Sequence, residues 1–267
     1  MSIIPYMRPT VRDRAGRFTS YAIGVIILAA LAFSADWPTI GRQFFNLEVA
    51  AKMWPEIITV ALKNTLWITL VSFVLGMLFA VVLAVLKLAG GPLGWFAVAF
   101  IEFFRGIPAL LTIFGAAFVI PIAFEGFKFP GGRLGAAVLG LTLVTAAYGA
   151  EIIRAGIQAV PSGQLEAARS LGMGSGQTMF WVVLPQAFRI VIPPVTNELV
   201  MLLKDSSLVY IVGLGVFEKE LTTFGRDALS TTGSPTPLFM VSVAYLVVTL
   251  PLTYLVGLLE KKLDPKR

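Results

Sequence analysis

The sequence predicts an all-α, polytopic membrane protein with about six transmembrane helices, and three observations predict it. The first is composition: of 267 residues 57% are hydrophobic and 13% charged, where a soluble domain carries about 25% charged residues, and the mean hydropathy is +0.85. The second is a series of apolar runs, separated by short polar loops, that approach the ~20 residues a helix needs to cross a bilayer. The third is the placement of the basic residues at the ends of those runs. That placement reads the net charge of +6 as a topology signal facing anionic lipid rather than as a nucleic-acid surface. The sequence has no cysteine and no histidine. Disulfides, thiol nucleophiles, Cys/His metal sites and His-based catalysis are thereby excluded, and neither a catalytic group nor a metal site is expected.

The first apolar run, Ser20–Ser34, follows Arg8, Arg12, Arg14 and Arg17. It reads as an uncleaved signal-anchor helix behind a basic arm over residues 1–19, the alternative being a signal peptide, for which no small-residue cleavage site is clear. Residues 35–56 mix Trp37, Phe44, Phe45, Met53 and Trp54 with Arg42, Glu48 and Lys52, as an interfacial amphipathic segment does. The second span, Thr65–Leu86, ends at Lys87 and the turn signal Gly90-Gly91-Pro92. A third runs from Trp95 to about Ala123 and a fourth from Leu134 to about Ala159. A fifth occupies Ile190–Val212, interrupted by Pro193, Pro194 and a polar cluster, and the sixth is Leu238–Leu259. Lys261, Lys262, Lys266 and Arg267 form a basic tail over residues 261–267. Six spans with basic ends place both termini, and the loop over residues 160–189, in the cytoplasm.

That loop predicts a helix–turn–helix. Ser162 is a candidate N-cap after Pro161, Glu166 lies where the helix dipole favours an anion, and Ala167, Ala168 and Leu171 give one small apolar face. Gly172 and Gly174 permit a reversal into a second short helix over residues 177–183. Such an element either docks on a cytoplasmic partner or lies on the membrane as a connector.

Glu166-Ala167-Ala168, three residues, Gly172, nine residues, then Val182-Val183-Leu184-Pro185 resembles the EAA loop of binding-protein-dependent ABC importer permeases, with Val182 where the family usually has Ile. Asn64-Thr65-Leu66, Glu102-Phe103-Phe104-Arg105-Gly106-Ile107-Pro108, Ala150-Glu151-Ile152-Ile153-Arg154, Gly163-Gln164, Leu184-Pro185-Gln186-Ala187 and Leu203-Lys204-Asp205-Ser206-Ser207-Leu208 are similar to the polar-amino-acid subfamily. The resemblance covers about residues 56–260 and implies a type I importer permease domain over 57–260, behind an extra N-terminal helix and segment over 20–56. It implies a partner ATPase dimer, a second permease subunit, identical or sibling, and an external binding protein, all at a bacterial inner membrane. The chain has no Gly-x-x-x-x-Gly-Lys-Ser/Thr loop, so no cofactor is expected here, and ATP with Mg belongs to the partner. By resemblance Gln164, Glu166, Ala167, Ala168, Gly172 and Pro185 form the coupling site. The cargo implied is a polar amino acid such as glutamate, glutamine or a basic amino acid.

The intramembrane charges can be read independently. Glu102 with Arg105, and Glu151 with Arg154, are three residues apart and share a helix face, ~10 Å inside the cytoplasmic boundary. They either stabilise helix ends or form a cytoplasmic gate whose pairs exchange partners. Asn197, Glu198, Lys204, Asp205, Ser206 and Ser207 sit deep in the fifth span, where polar groups need each other, water or ligand, and are the candidate substrate path. Thr142, Ala146 and Ala150 predict close helix packing, while Thr145 and Tyr148 can face substrate. A secondary transporter would use the same charges without ATPases, and a structural membrane protein would explain the spans but not the Lys204–Ser207 cluster.

Overall fold

The computed structural model describes residues 11–263, with side chains from Phe18 onward. Of the expected basic ends, Arg8, Lys266 and Arg267 lie outside the described residues, and Arg12, Arg14 and Arg17 are described only as helix backbone. The chain forms two compact units, Met1–Asn46 and Leu47–Arg267.

In the first unit α1 spans Val11–Ser34, longer than its apolar run, because the preceding basic stretch continues the helix. Phe18, Ile26, Leu28 and Phe33 are exposed along it. Asp36 then starts α2, Trp37–Phe44: its carboxylate accepts the Thr39 N–H at 3.1 Å, and Pro38 fits the first turn because its missing N–H is not needed there.

The second unit begins with α3, Leu47–Lys52, and is organised around α4, Ile57–Ala89, and α7, Gly132–Gln158. Small residues let these two helices touch. A Cβ on Gly76 would fall 2.6 Å from Thr145 Cβ, and one on Gly149 would fall 2.9 Å from Ala80 Cβ. Without a hydrophobic driving force between helices in lipid, such close approach is the main source of attraction. The expected stripe is buried: Thr142 is 8% exposed, and Ala146 and Ala150 are fully covered, the two alanines packing with Ala80, Leu83, Ala97 and Ile101.

The third span departs from its sequence reading. In place of one continuous helix over 95–123, α5, Gly91–Gly106, and α6, Ala109–Ala123, meet at an angle of 109°. Pro108 is the cause. A residue before proline is pushed out of the helical region, and Ile107 is extended at φ −99°, ψ 136°. The fifth span departs in the opposite sense. The expected separate helix over 177–183 and the break at Pro193-Pro194 are absent; α9 runs over Ser175–Val212, continuous through both prolines, and changes at the polar cluster, where it tightens to a 3-10 helix over Ser206–Val212. A π-turn over Met179–Val183 precedes Pro185, and Pro193 and Pro194 stay inside the helix. Neighbouring helices and local π adjustments re-satisfy the backbone freed by proline in such settings.

Between α7 and α9 lies α8, Ser162–Ser170, and after α9 come α10, Leu221–Thr232, and α11, Thr236–Leu263. Among the described residues four helices, α4, α7, α9 and α11, are long and apolar enough to cross a membrane. The number rises to six if the bent pairs Phe18–Ser34 with Trp37–Lys52 and Gly91–Gly106 with Ala109–Ala123 each count as one span. Residues 47–56, read from sequence with the N-terminal segment, pack in the second unit, where Met53 is buried with Ile57, Ala61, Leu221 and Val241.

Candidate functional site

The break between α5 and α6 opens a cavity of about 410 Å³, lined by Arg105 to Ala109, Val144 and Tyr148 of α7, and Glu198, Met201 and Asp205 of α9. Several features follow from local geometry. The last carbonyls of α5 have no intrahelical donor, and a broken backbone at membrane depth is tolerated where it borders a cavity. Glu198, Met201 and Asp205 are spaced i, i+3, i+7 and so share one face of α9. The Arg105 guanidinium lies 5.7 Å from the centroid of the Tyr148 ring, within the range of a cation–π contact.

Of the residues the sequence proposes for a substrate path, the structure brings together Tyr148, Glu198 and Asp205 and adds Arg105, which the sequence assigns to an ion pair. It does not bring the rest. Lys204 is exposed and lies ~100° around the helix from Asp205; among the described residues it makes no ion pair. Asn197 is exposed as well, seven positions before Lys204 and on the same stripe. Ser206 is fully buried and donates to the Leu203 carbonyl at 2.6 Å, and Ser207 is half-buried. Thr145 is fully buried against Gly76, so it fills the α4–α7 contact rather than the cavity.

The two expected ion pairs also separate. Glu151 pairs with Arg154, and Lys87, which the sequence reading treats only as a span end, reaches it from α4 at 3.0 Å. Arg154 continues to the Gln158 side chain. The side chains of Lys87, Glu151 and Arg154 are 17, 23 and 24% exposed. Glu102, by contrast, stands 3.8 Å from both Lys87 and Arg105 and is 61% exposed, too far for a hydrogen bond to either.

At the same end of the molecule α8 carries the EAA pattern. Gln164, Glu166, Ala167, Gly172 and Pro185 are exposed, and Gly172 takes φ +84°, a conformation that favours glycine, as the expected reversal requires. Several details are corrected. Pro161, not Ser162, occupies the N-cap, so Ser162 is the first helical residue. With the helix starting at Ser162, Glu166 falls past the first turn, the place where the dipole favours an anion. Ala168 is 5% exposed and Leu171 84%, so the apolar face is not the one expected. Ala168 turns inward, on the side where Leu165 packs against Val160, Val183 and Ala187.

A buried polar cluster at the opposite end carries a residue the sequence reading passes over. Glu220 is fully buried and caps α10, accepting from the Thr223 N–H at 2.7 Å and hydroxyl at 2.6 Å. Burial pushes its carboxyl above the ordinary range, against the lowering by these bonds. Asn64 donates to the Phe217 carbonyl at 2.8 Å, and Thr65 Oγ1 accepts the Leu221 N–H at 3.0 Å. The Asn64-Thr65-Leu66 motif therefore ties α4 to the start of α10.

Comparison with known proteins gives consistent neighbours. Residues 72–265 match the family described as binding-protein-dependent transport system inner membrane component. The probable glutamine ABC transporter permease protein GlnM of Bacillus subtilis (strain 168) is 42% identical over 72% of this chain and 85% of its own length. The arginine transport system permease protein ArtQ of the same organism is 37% identical over 82% and 98%. The crystal structure of an amino acid ABC transporter with histidines superposes with a TM-score of 0.74 at 33% identity, over 82% of this chain and 98% of that one.

Proposed function

From the premise that this chain belongs to the family of binding-protein-dependent transport system inner membrane components, a permease subunit of an ABC importer, we propose that it carries a polar amino acid delivered by an external binding protein. The carrying observation is the cavity at the α5–α6 break, where Arg105 stands with Glu198 and Asp205. An amino acid has a carboxylate and an ammonium group, and a lipid crossing needs partners of both signs. Relatives named for glutamine, arginine and glutamate/aspartate support the substrate class at that level.

The coupling site is the exposed side of α8 with the Gly172 turn. Gln164, Glu166, Ala167 and Gly172 meet an ATPase that binds ATP and Mg, with Pro185 following at the start of the long helix. Ala168 holds the element to its own subunit. The exposed stripe of α9 that carries Asn197 and Lys204 is where a second permease subunit, identical or sibling, stands. The chain lies in a bacterial inner membrane with both termini and α8 cytoplasmic. Co-purification tests this reading: an ATPase should come down with the wild-type chain. Glu166→Lys and Gly172→Leu should abolish uptake while subunit abundance stays near normal. Normal uptake in both variants would make α8 a mere connector.

A further inference from the structure

We propose that the cavity selects a basic amino acid, one with a second positive charge on its side chain, over glutamine and glutamate. This deepens the amino-acid reading above and rests on it. The charges lining the cavity do not balance: one guanidinium, Arg105, faces two carboxylates, Glu198 and Asp205. Lys204, next to Asp205 in sequence, is exposed and outside the lining, although it lies near enough to attract the Asp205 carboxylate. Lys87 is engaged at 3.0 Å with Glu151, and Arg154 also pairs there. Outside the cavity Glu102 stands 3.8 Å from both Arg105 and Lys87 and brings no cation into the lining.

A ligand's own charge decides how this imbalance closes. The α-carboxylate of any amino acid can meet Arg105, whose donors are not held at hydrogen-bonding distance by Glu102 and stay available for a bidentate contact. The two carboxylates sit seven residues apart, ~10 Å along the helix axis. A single α-ammonium satisfies one of them and leaves the other facing low-dielectric surroundings without a partner, which is costly. A basic amino acid presents two cationic groups separated by an extended apolar stem. The α-ammonium meets one carboxylate, the side-chain cation meets the other, and the stem runs along Met201 and Val144. Glutamate would bring a third carboxylate to a site that already holds two. The volume of about 410 Å³ lies within the range of small-ligand sites.

The test is equilibrium binding of tritiated lysine, glutamine and glutamate to the purified permease–ATPase complex without binding protein, so that the permease's own preference is read. Lysine should bind at least about tenfold more tightly than glutamine, and glutamate more weakly still. Asp205→Asn and Glu198→Gln should each cut lysine affinity by about tenfold or more, and the variant that removes the partner of the side-chain cation should cut it far more than it cuts glutamine affinity, so that the lysine preference collapses. Two neutralising variants guard against one of them misfolding. Glutamine or glutamate binding as tightly as lysine, or an unaltered lysine preference in both variants, would overturn the proposal and leave the permease reading intact. Absence of ATP-driven uptake of all three in proteoliposomes with the binding protein supplied would overturn both.

Discussion

Two clusters of charge lie within the membrane helices, and they are built differently. Around Glu151 the account closes inside the chain: Lys87 and Arg154 approach one carboxylate from two helices, and Gln158 takes up a further donor. Around the α5–α6 break two carboxylates share a cavity with one guanidinium, and Lys204, which attracts Asp205 from nearby, stands outside the lining. A closed cluster holds helices together, whereas an open one leaves charge that the proposed ligand would meet. The repeated Glu-x-x-Arg spacing makes Glu102–Arg105 and Glu151–Arg154 look equivalent, yet only the second is a clamp, and Arg105 belongs to the cavity.

The sharpest way to break this contrast is to remove the hub of the closed cluster. Glu151→Ala strands two cations at a helix junction and should lower stability by ~2–3 kcal/mol, less than the ~3–5 of a fully buried pair because a part of each side chain remains exposed. Thermal unfolding in detergent measures it, and an unchanged midpoint would show that the cluster holds nothing. The open cluster should respond in the opposite sense: Asp205→Asn removes a desolvated charge that no ion pair holds among the described residues, so its unfolding midpoint should match or exceed wild type while lysine binding falls. Loss of both together would mean that Asp205 is structural.

Glu102→Gln should be the mildest of the acid changes. Its two contacts are 3.8 Å long and its side chain is mostly exposed, so the expected change is within ~1 kcal/mol. A large loss would place Glu102 in the clamp after all.

Smallest is the pH effect of Glu220, which lies between the spans. Its folded carboxyl is raised from the ordinary 4.5 by burial, so the folded state holds the proton more tightly than the unfolded one. The resulting stability is complete below the unfolded value and declines as pH rises through the folded one. Wild-type unfolding midpoints should fall across that window, and those of Glu220→Gln should not. Identical pH profiles would exclude this role.

Much of the fold is legible in the sequence because lipid imposes a simple pattern. Apolar runs give the spans, Gly172 marks the turn, and the Thr142, Ala146 and Ala150 spacing gives the packing face. The misses come from two sources. Some signals were present but outweighed: Ile107-Pro108 has the backbone chemistry of a break, yet the apolar run continues through it. Adjacent residues on a helix point ~100° apart, and here Asp205 takes the cavity side while Lys204 is exposed. Others were absent: Lys87 meets Glu151 across 64 residues, and no local pattern announces such a contact. Glu220 reads as a surface acid until α4 and α11 close over it. Proline pairs such as Pro193-Pro194 are equally ambiguous, since only the surrounding helices decide whether a membrane helix breaks or continues.

The most direct measurement is uptake into proteoliposomes that contain this chain with its ATPase and binding protein. The account predicts amino-acid accumulation that requires ATP hydrolysis and survives dissipation of ion gradients. Accumulation by the chain without an ATPase, driven by a proton or sodium gradient, would contradict it.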